Sequence, residues 1–160
     1  MDYSIREYAC DDLPKLRAIT MEAFDGVSID RNIEDRFGKI ADRNWQWRKA
    51  RHIDADAERD PNGIFVAEID GEIVGYITTW IDQEGSTGLI PNLAVHSSVR
   101  GKGLGRALIQ HALDYFRTLN LEFARIETLV QNSIGQSLYP TFGFEEVARQ
   151  IHYGMRLRSP

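Results

Sequence analysis

Cysteine is nearly absent: the chain has one, Cys10, in 160 residues. This excludes an intramolecular disulfide and any cysteine-based metal cluster, and no metal site is expected. The neighbours Asp11 and Asp12 argue against a nucleophilic thiol there. No uninterrupted apolar run approaches the ~20 residues of a membrane span. The first residues carry Asp2, Arg6, Glu7, Asp11 and Asp12, so they do not read as a secretory leader, and a cytoplasmic protein with no membrane partner is the expectation. Cations are in deficit, with 19 Lys and Arg against 24 Asp and Glu and a net charge of −5. Nucleic-acid binding rests on neutralising phosphates with Lys and Arg, so no nucleic-acid partner is expected. The same acidity mildly favours a cationic small molecule.

The composition that remains, 42% apolar and 27% charged, describes one soluble domain over residues 1–160. Alternation predicts a strand over residues 3–8, and helical spacing of Leu13, Leu16, Ile19 and Ala23 predicts a helix over 12–25, with Asp11 or Asp12 as N-cap. Strands over 64–69 and 73–81 flank Asp70-Gly71, a strong hairpin signal. A fourth strand covers 88–96, interrupted by Pro91, which cannot donate to a ladder and so implies a bulge or an edge. A helix follows over 103–119, then a strand at 125–130, a short helix at 133–142, and strands at 145–148 and 151–158. Residues 29–60 hold eight basic and eight acidic residues and read as one or two surface helices, in which Trp45 and Trp47 either pack or line a pocket. Helices around a mostly antiparallel sheet make the fold class α+β.

The most informative segment is Arg100-Gly101-Lys102-Gly103-Leu104-Gly105, set between an apolar strand and an amphipathic helix. A glycine turn entering a helix exposes backbone N–H groups where the helix dipole is positive, which suits phosphate. A P-loop needs Gly-Lys-Ser/Thr, and the chain has none. A dinucleotide fingerprint starting at Gly101 would put its third glycine at Arg106. What remains is Arg-x-x-Gly-x-Gly, with Arg100, Gly103 and Gly105 in the defining places.

A second segment, Asn132-Ser133-Ile134-Gly135-Gln136-Ser137-Leu138-Tyr139-Pro140-Thr141-Phe142-Gly143-Phe144, follows downstream. Asn132 and Tyr139 are two helical turns apart and share a face, while Asn132 also suits an N-cap and Gly143 a helix stop.

Together these two segments, and the closing Tyr153-Gly154-Met155-Arg156-Leu157, resemble the GNAT superfamily of N-acetyltransferases over residues 64–157. The resemblance implies a central mixed sheet of about seven strands and about four helices, splayed between the fourth and fifth strands. It implies acetyl-CoA as co-substrate and an amine acceptor, with a homodimer in prospect. The pyrophosphate would lie on the N–H groups of Gly101 to Gly105, flanked by Arg100, Lys102, Leu104 and Arg106. The pantetheine arm would run along Leu93, Ala94 and Val95, with the amide of Leu93 or Ala94 polarising the thioester carbonyl and Asn132 reaching the same arm.

An alkyl ammonium, with a pKa near ~10.4, must lose a proton before it attacks. The resembled motif places the general acid for the departing thiolate at Tyr139, although Pro140 directly after it departs from the pattern and kinks the last turn. Many relatives carry Glu near the position of Asn92, and an amide cannot serve as base. Glu127, five residues before Asn132, matches the position of the base in the peptide N-terminal acetyltransferase subgroup, and Glu84 is an alternative. His96 reads as a surface residue and His111 as packed. A non-catalytic acyl-CoA-binding module and an unrelated nucleotide-binding domain stand as rival readings, and the acceptor is left open between a small amine and a peptide amine.

Overall fold

Asp70 and Gly71 both adopt positive φ, 52° and 79°, and so close a tight hairpin between β2 (Ile64–Ile69) and β3 (Glu72–Thr78). The computed structural model describes residues 2–159, so the outermost residues of the expected 1–160 domain lie outside the described ones. β1 (Ser4–Glu7) pairs antiparallel with β2, and β6 (Leu93–Val95) with β3, giving one sheet in the order β1-β2-β3-β6. Arg6 fastens β1 to its surroundings through Asp12 at 2.7 Å and Glu68 at 2.6 Å. Asp12 therefore spends its carboxylate on Arg6 and the Ala9 N–H, and makes no side-chain cap on α1 (Leu13–Ala23).

A second sheet is built in the order β4-β5-β7, from β4 (Trp80–Asp82), β5 (Thr87–Ile90) and β7 (Phe123–Ile126). β5 runs antiparallel to β4 and parallel to β7. Two strands expected to be continuous are thus each divided between the sheets, 73–81 after Thr78 and 88–96 at Pro91-Asn92. Proline lacks the donor needed to continue the ladder, and the chain changes sheet where it stands. The splay expected between the fourth and fifth strands takes this form: β5 holds β7, while β6 departs with the first sheet.

Among the described residues, five helices surround the sheets. The charged stretch forms α2 (Ile29–Phe37) and α3 (Trp45–Arg59), capped by Ser28 and Asn44, whose side chains accept from the N–H groups of Arg31 and Trp47. α4 (Leu104–Thr118) buries Leu104, Leu108, Ile109, Ala112 and Phe116 against β2, β3 and β5. Gly88 lets the Phe116 ring lie on β5, since a Cβ there would stand 2.6 Å from it. α1 and α3 cover the other face through Leu16, Ile19 and Ile53. α5 (Ser133–Leu138) stops early, because Tyr139–Phe142, with Pro140 in it, winds as a 3-10 turn.

The strands expected at 145–148 and 151–158 do not form. Residues 144–156 lie off both sheets, and the Arg156 guanidinium donates to the carbonyls of Phe37 and Lys39, at 2.5 and 2.8 Å, just past the end of α2. The Phe37 carbonyl is a last-turn acceptor of α2, while Lys39 lies two residues beyond the helix.

Candidate active site

The glycine loop delivers an open helix N-terminus. Gly101 and Gly103 have φ of 75° and 86°, and nothing lies within 4 Å of where a Cβ would stand on either. Gly103 is the N-cap of α4 and offers no side chain, so the first-turn N–H groups of Leu104, Gly105 and Arg106 face outward without a side-chain cap. Arg100 and Lys102 fold back on the approach to the loop, Nε of Arg100 on the Val95 carbonyl at 3.2 Å and Nζ of Lys102 on the Ser98 carbonyl at 3.2 Å. Arg106 stands 5.1 Å over the Phe142 ring and lines a cleft of about 510 Å³ beside the loop.

The strand leading to the loop has one free edge. Thr78 N–H donates to the Asn92 carbonyl and His96 N–H to the Val74 carbonyl, so residues 92 and 96 direct their main-chain groups at β3. Period-two alternation then turns Ala94 toward β3 and the main-chain groups of Leu93 and Val95 toward the open edge. Of the two amides expected at the thioester, Leu93 is the one available.

Asn92 sits at the point of divergence, 4% exposed. Its Oδ1 accepts from Lys49 Nζ at 2.8 Å, and its Nδ2 donates to Asp56 Oδ2 at 2.7 Å. Thr78 Oγ1 donates to the same Asp56 oxygen at 2.8 Å. Burial pushes the Lys49 ammonium down to about 8, against the opposing pull of Asp30 and Asp56. Burial and the Lys49 charge likewise lower His52, whose Nε2 is 3.4 Å from Asp30. Neither Lys49 nor Asp56 was singled out from sequence. A signal was there: Trp45, Lys49, Ile53 and Asp56 form the buried stripe of α3, and two charges on such a stripe need buried partners.

Above this network opens a cleft of about 690 Å³, bounded by α3, Trp80 and the ends of β5 and β7. Glu127 lines it, exposed, with Oε1 3.4 Å from Arg125. Trp47 lines it too, whereas Trp45 is buried in the core. Glu84 lies in the exposed β4–β5 turn, outside the lining residues. His96 is a surface residue 3.2 Å from Glu22, and His111 packs edge-on against Phe65.

Asn132 and Tyr139 do converge, on Gly135. A Cβ at Gly135 would stand 2.9 Å from Asn132 Nδ2 and 3.1 Å from both Thr128 Oγ1 and the Tyr139 hydroxyl. Asn132 caps α5 through the Gly135 N–H at 3.2 Å and donates to Thr128 at 2.8 Å, so its amide is engaged locally. Burial raises the Tyr139 phenol, partly offset by Thr128, and so keeps it protonated. Tyr139 does not line the large cleft, and the structure does not bring it together with Glu127 there.

These features define a class: an α+β domain with an anion-ready helix N-terminus at the end of an open strand edge. The profile of the acetyltransferase (GNAT) family matches residues 27–144, and the chain belongs to that family. Acetyl-CoA is the co-substrate of this family, and the uncapped turn at Gly101–Gly105 fits its pyrophosphate. An uncharacterized N-acetyltransferase of Methanocaldococcus jannaschii is 37% identical over 87 residues, 54% of this chain and 54% of that protein. An N-alpha-acetyltransferase of Sulfurisphaera tokodaii is 36% identical over 100 residues, 56% of this chain and 60% of its own. This chain thus spans little more than half the length of such curated relatives. The PaiA N-acetyltransferase of Thermoplasma acidophilum, solved with coenzyme A, superposes with a TM-score of 0.72 at 21% identity, over 91% of each chain, a likeness of fold. No helix among the described residues is long and apolar enough to cross a membrane.

Proposed function

We propose that this protein is an N-acetyltransferase, a single domain that moves the acetyl group of acetyl-CoA to a primary amine by direct attack in a ternary complex. The observation that carries this reading is the placement of the open β6 edge between the Gly103-capped helix and the large cleft. A ligand extended along that edge has its phosphates at α4 and its far end beside Asn92 and Glu127. Bound acetyl-CoA supplies the acyl thioester. The N–H groups of Gly101 to Gly105 hold the pyrophosphate, with Arg100, Lys102 and Arg106 around it. The main chain of Leu93 and Val95 aligns the arm, and the Leu93 N–H polarises the acyl carbonyl. Asn132 holds the Thr128–Tyr139 side of the site in place.

Glu127 takes the proton from the acceptor ammonium, directly or through water, because it is the cleft-lining carboxylate outside the Asn92 and His52 networks. Tyr139 returns a proton to the departing thiolate, and its burial keeps that proton available. The acceptor is a small amine or a peptide amine, and the name of the Sulfurisphaera relative supports an α-amine. We place the protein in the cytoplasm, without a nucleic-acid or membrane partner, and as a homodimer.

The test is release of CoA from acetyl-CoA across polyamines, aminoglycosides, amino acids and short peptides, with Tyr139→Phe alongside. Turnover on one class, lost in the variant, is the expected result. One observation favours a second reading, a non-catalytic acyl-CoA-binding module: the Asn92 side chain beside the cleft is an amide, tied to Lys49 and Asp56, and cannot act as a base. Acetyl-CoA binding with no CoA release on any acceptor would establish that reading instead.

A further inference from the structure

The chain as a whole is acidic, yet its large cleft is basic. Arg48, Lys49, Arg51, Arg59 and Arg125 line it, against the carboxylates Asp30, Asp56 and Glu127. Those carboxylates are already engaged: Asp56 lies 3.5 Å from Arg59, Glu127 lies 3.4 Å from Arg125, and Asp30 faces His52. Among the described residues, Arg48 and Arg51 have no carboxylate within ion-pair distance, and Arg48 gives one N–H to the Ile40 carbonyl at 2.5 Å. Arginines recur on α3 at 48, 51 and 59, with His52 and Ala55 between them, which is one face of a helix. The Arg51 guanidinium lies 4.7 Å from the centre of the Trp47 ring and that of Arg59 4.7 Å from the centre of the Trp80 ring. Stacking holds the guanidinium plane and leaves its N–H edges for a planar oxyanion. A concave wall in which positive charge is in excess also focuses potential on whatever enters.

We propose that the acceptor is an amine that also carries a carboxylate or phosphate, held by Arg48 and Arg51 on the α3 wall while its amine reaches Glu127. This rests on the acetyltransferase reading for the amine and on the cleft alone for the anion. The overall acidity that suggested a cationic partner does not extend into this cleft.

Two measurements separate the parts. In the first, CoA release is compared for matched acceptors with and without an anionic group: glutamate against its decarboxylated amine, a phosphomonoester amine against ethanolamine, and acidic against lysine-rich peptides. The expected result is a preference for the anionic member of at least tenfold in kcat/KM, lost through a raised KM in Arg51→Gln and reversed toward diamines in Arg51→Glu. An equal or better rate with the neutral or dicationic partner overturns the proposal and leaves the acetyltransferase intact. The second needs no turnover: tryptophan fluorescence is followed during titration with glutamate, phosphoethanolamine or putrescine at matched ionic strength, since Trp47 and Trp80 line the cleft. Saturable response to an anionic ligand, weakened in Arg51→Gln, supports the anion site even if no acceptor turns over. Response to putrescine alone, or no difference between wild type and Arg51→Gln, refutes it.

Discussion

Lys49 Nζ lies 2.8 Å from Asn92 Oδ1, inside a network that also holds Asp56 and Thr78. The amide at position 92 is therefore a structural hub at the divergence of the two sheets. The lysine is the group whose titration this burial changes most visibly.

Folding lowers Lys49 to about 8 from its ordinary 10.5, so the unfolded chain holds that proton more tightly. The group then opposes folding fully below about 8, and its opposition fades as pH rises toward 10.5. Wild type should gain stability relative to Lys49→Met across that window. Urea midpoints of both proteins, taken at half-unit steps, would show parallel curves if the lysine were solvated.

Asp56 Oδ2 accepts from both Thr78 and Asn92. Asp56→Ala strands two buried donors and should cost about 3 kcal/mol, read from denaturant unfolding. A loss below about 1 kcal/mol would mean that water enters and replaces the carboxylate.

Tyr139→Phe removes the proposed proton donor and leaves the ring packed against Phe144. The expected outcome is a fall in kcat of about 10²-fold with acetyl-CoA affinity preserved. Glu127→Gln should lower kcat/KM by a similar factor while acetyl-CoA affinity is kept. An unchanged kcat/KM would transfer the base role elsewhere.

Gly135→Ala places a Cβ within 3.1 Å of both Thr128 Oγ1 and the Tyr139 hydroxyl. It should displace the phenol and lower kcat. Its effect should shrink when combined with Tyr139→Phe, because both changes act on one hydroxyl. Full additivity in the double mutant would sever Gly135 from Tyr139.

Gly103→Ala forces a side chain into φ of 86° at the proposed pyrophosphate turn. CoA affinity should fall by at least ~tenfold while the melting temperature drops by only several degrees, as a strain of about 1–2 kcal/mol implies. Calorimetric titration with CoA checks this.

Much of this chain was legible locally. The Asp70-Gly71 hairpin, the glycine turn and the helix after it follow from φ preferences and hydrophobic period over a few residues. So does the cap at Asn132. The stop imposed by Pro140 follows from a missing N–H. Proline at 91 signalled an interruption too, but one residue cannot say that the strand on either side joins a different sheet. Equally, the alternation of Ile151 to Leu157 predicts a strand without naming a partner, and in this chain no strand forms there.

The sequence by itself determined the fold class, the family and the anion-ready turn, because each rests on residues near one another in the chain. Only the tertiary structure decided which amide of β6 is free, that Lys49 and Asp56 meet at Asn92, and that an acidic protein encloses a basic cleft. Those depend on which faces of α3, β3 and β6 oppose one another. That packing is set by the sum of many weak burials, and no local pattern encodes it.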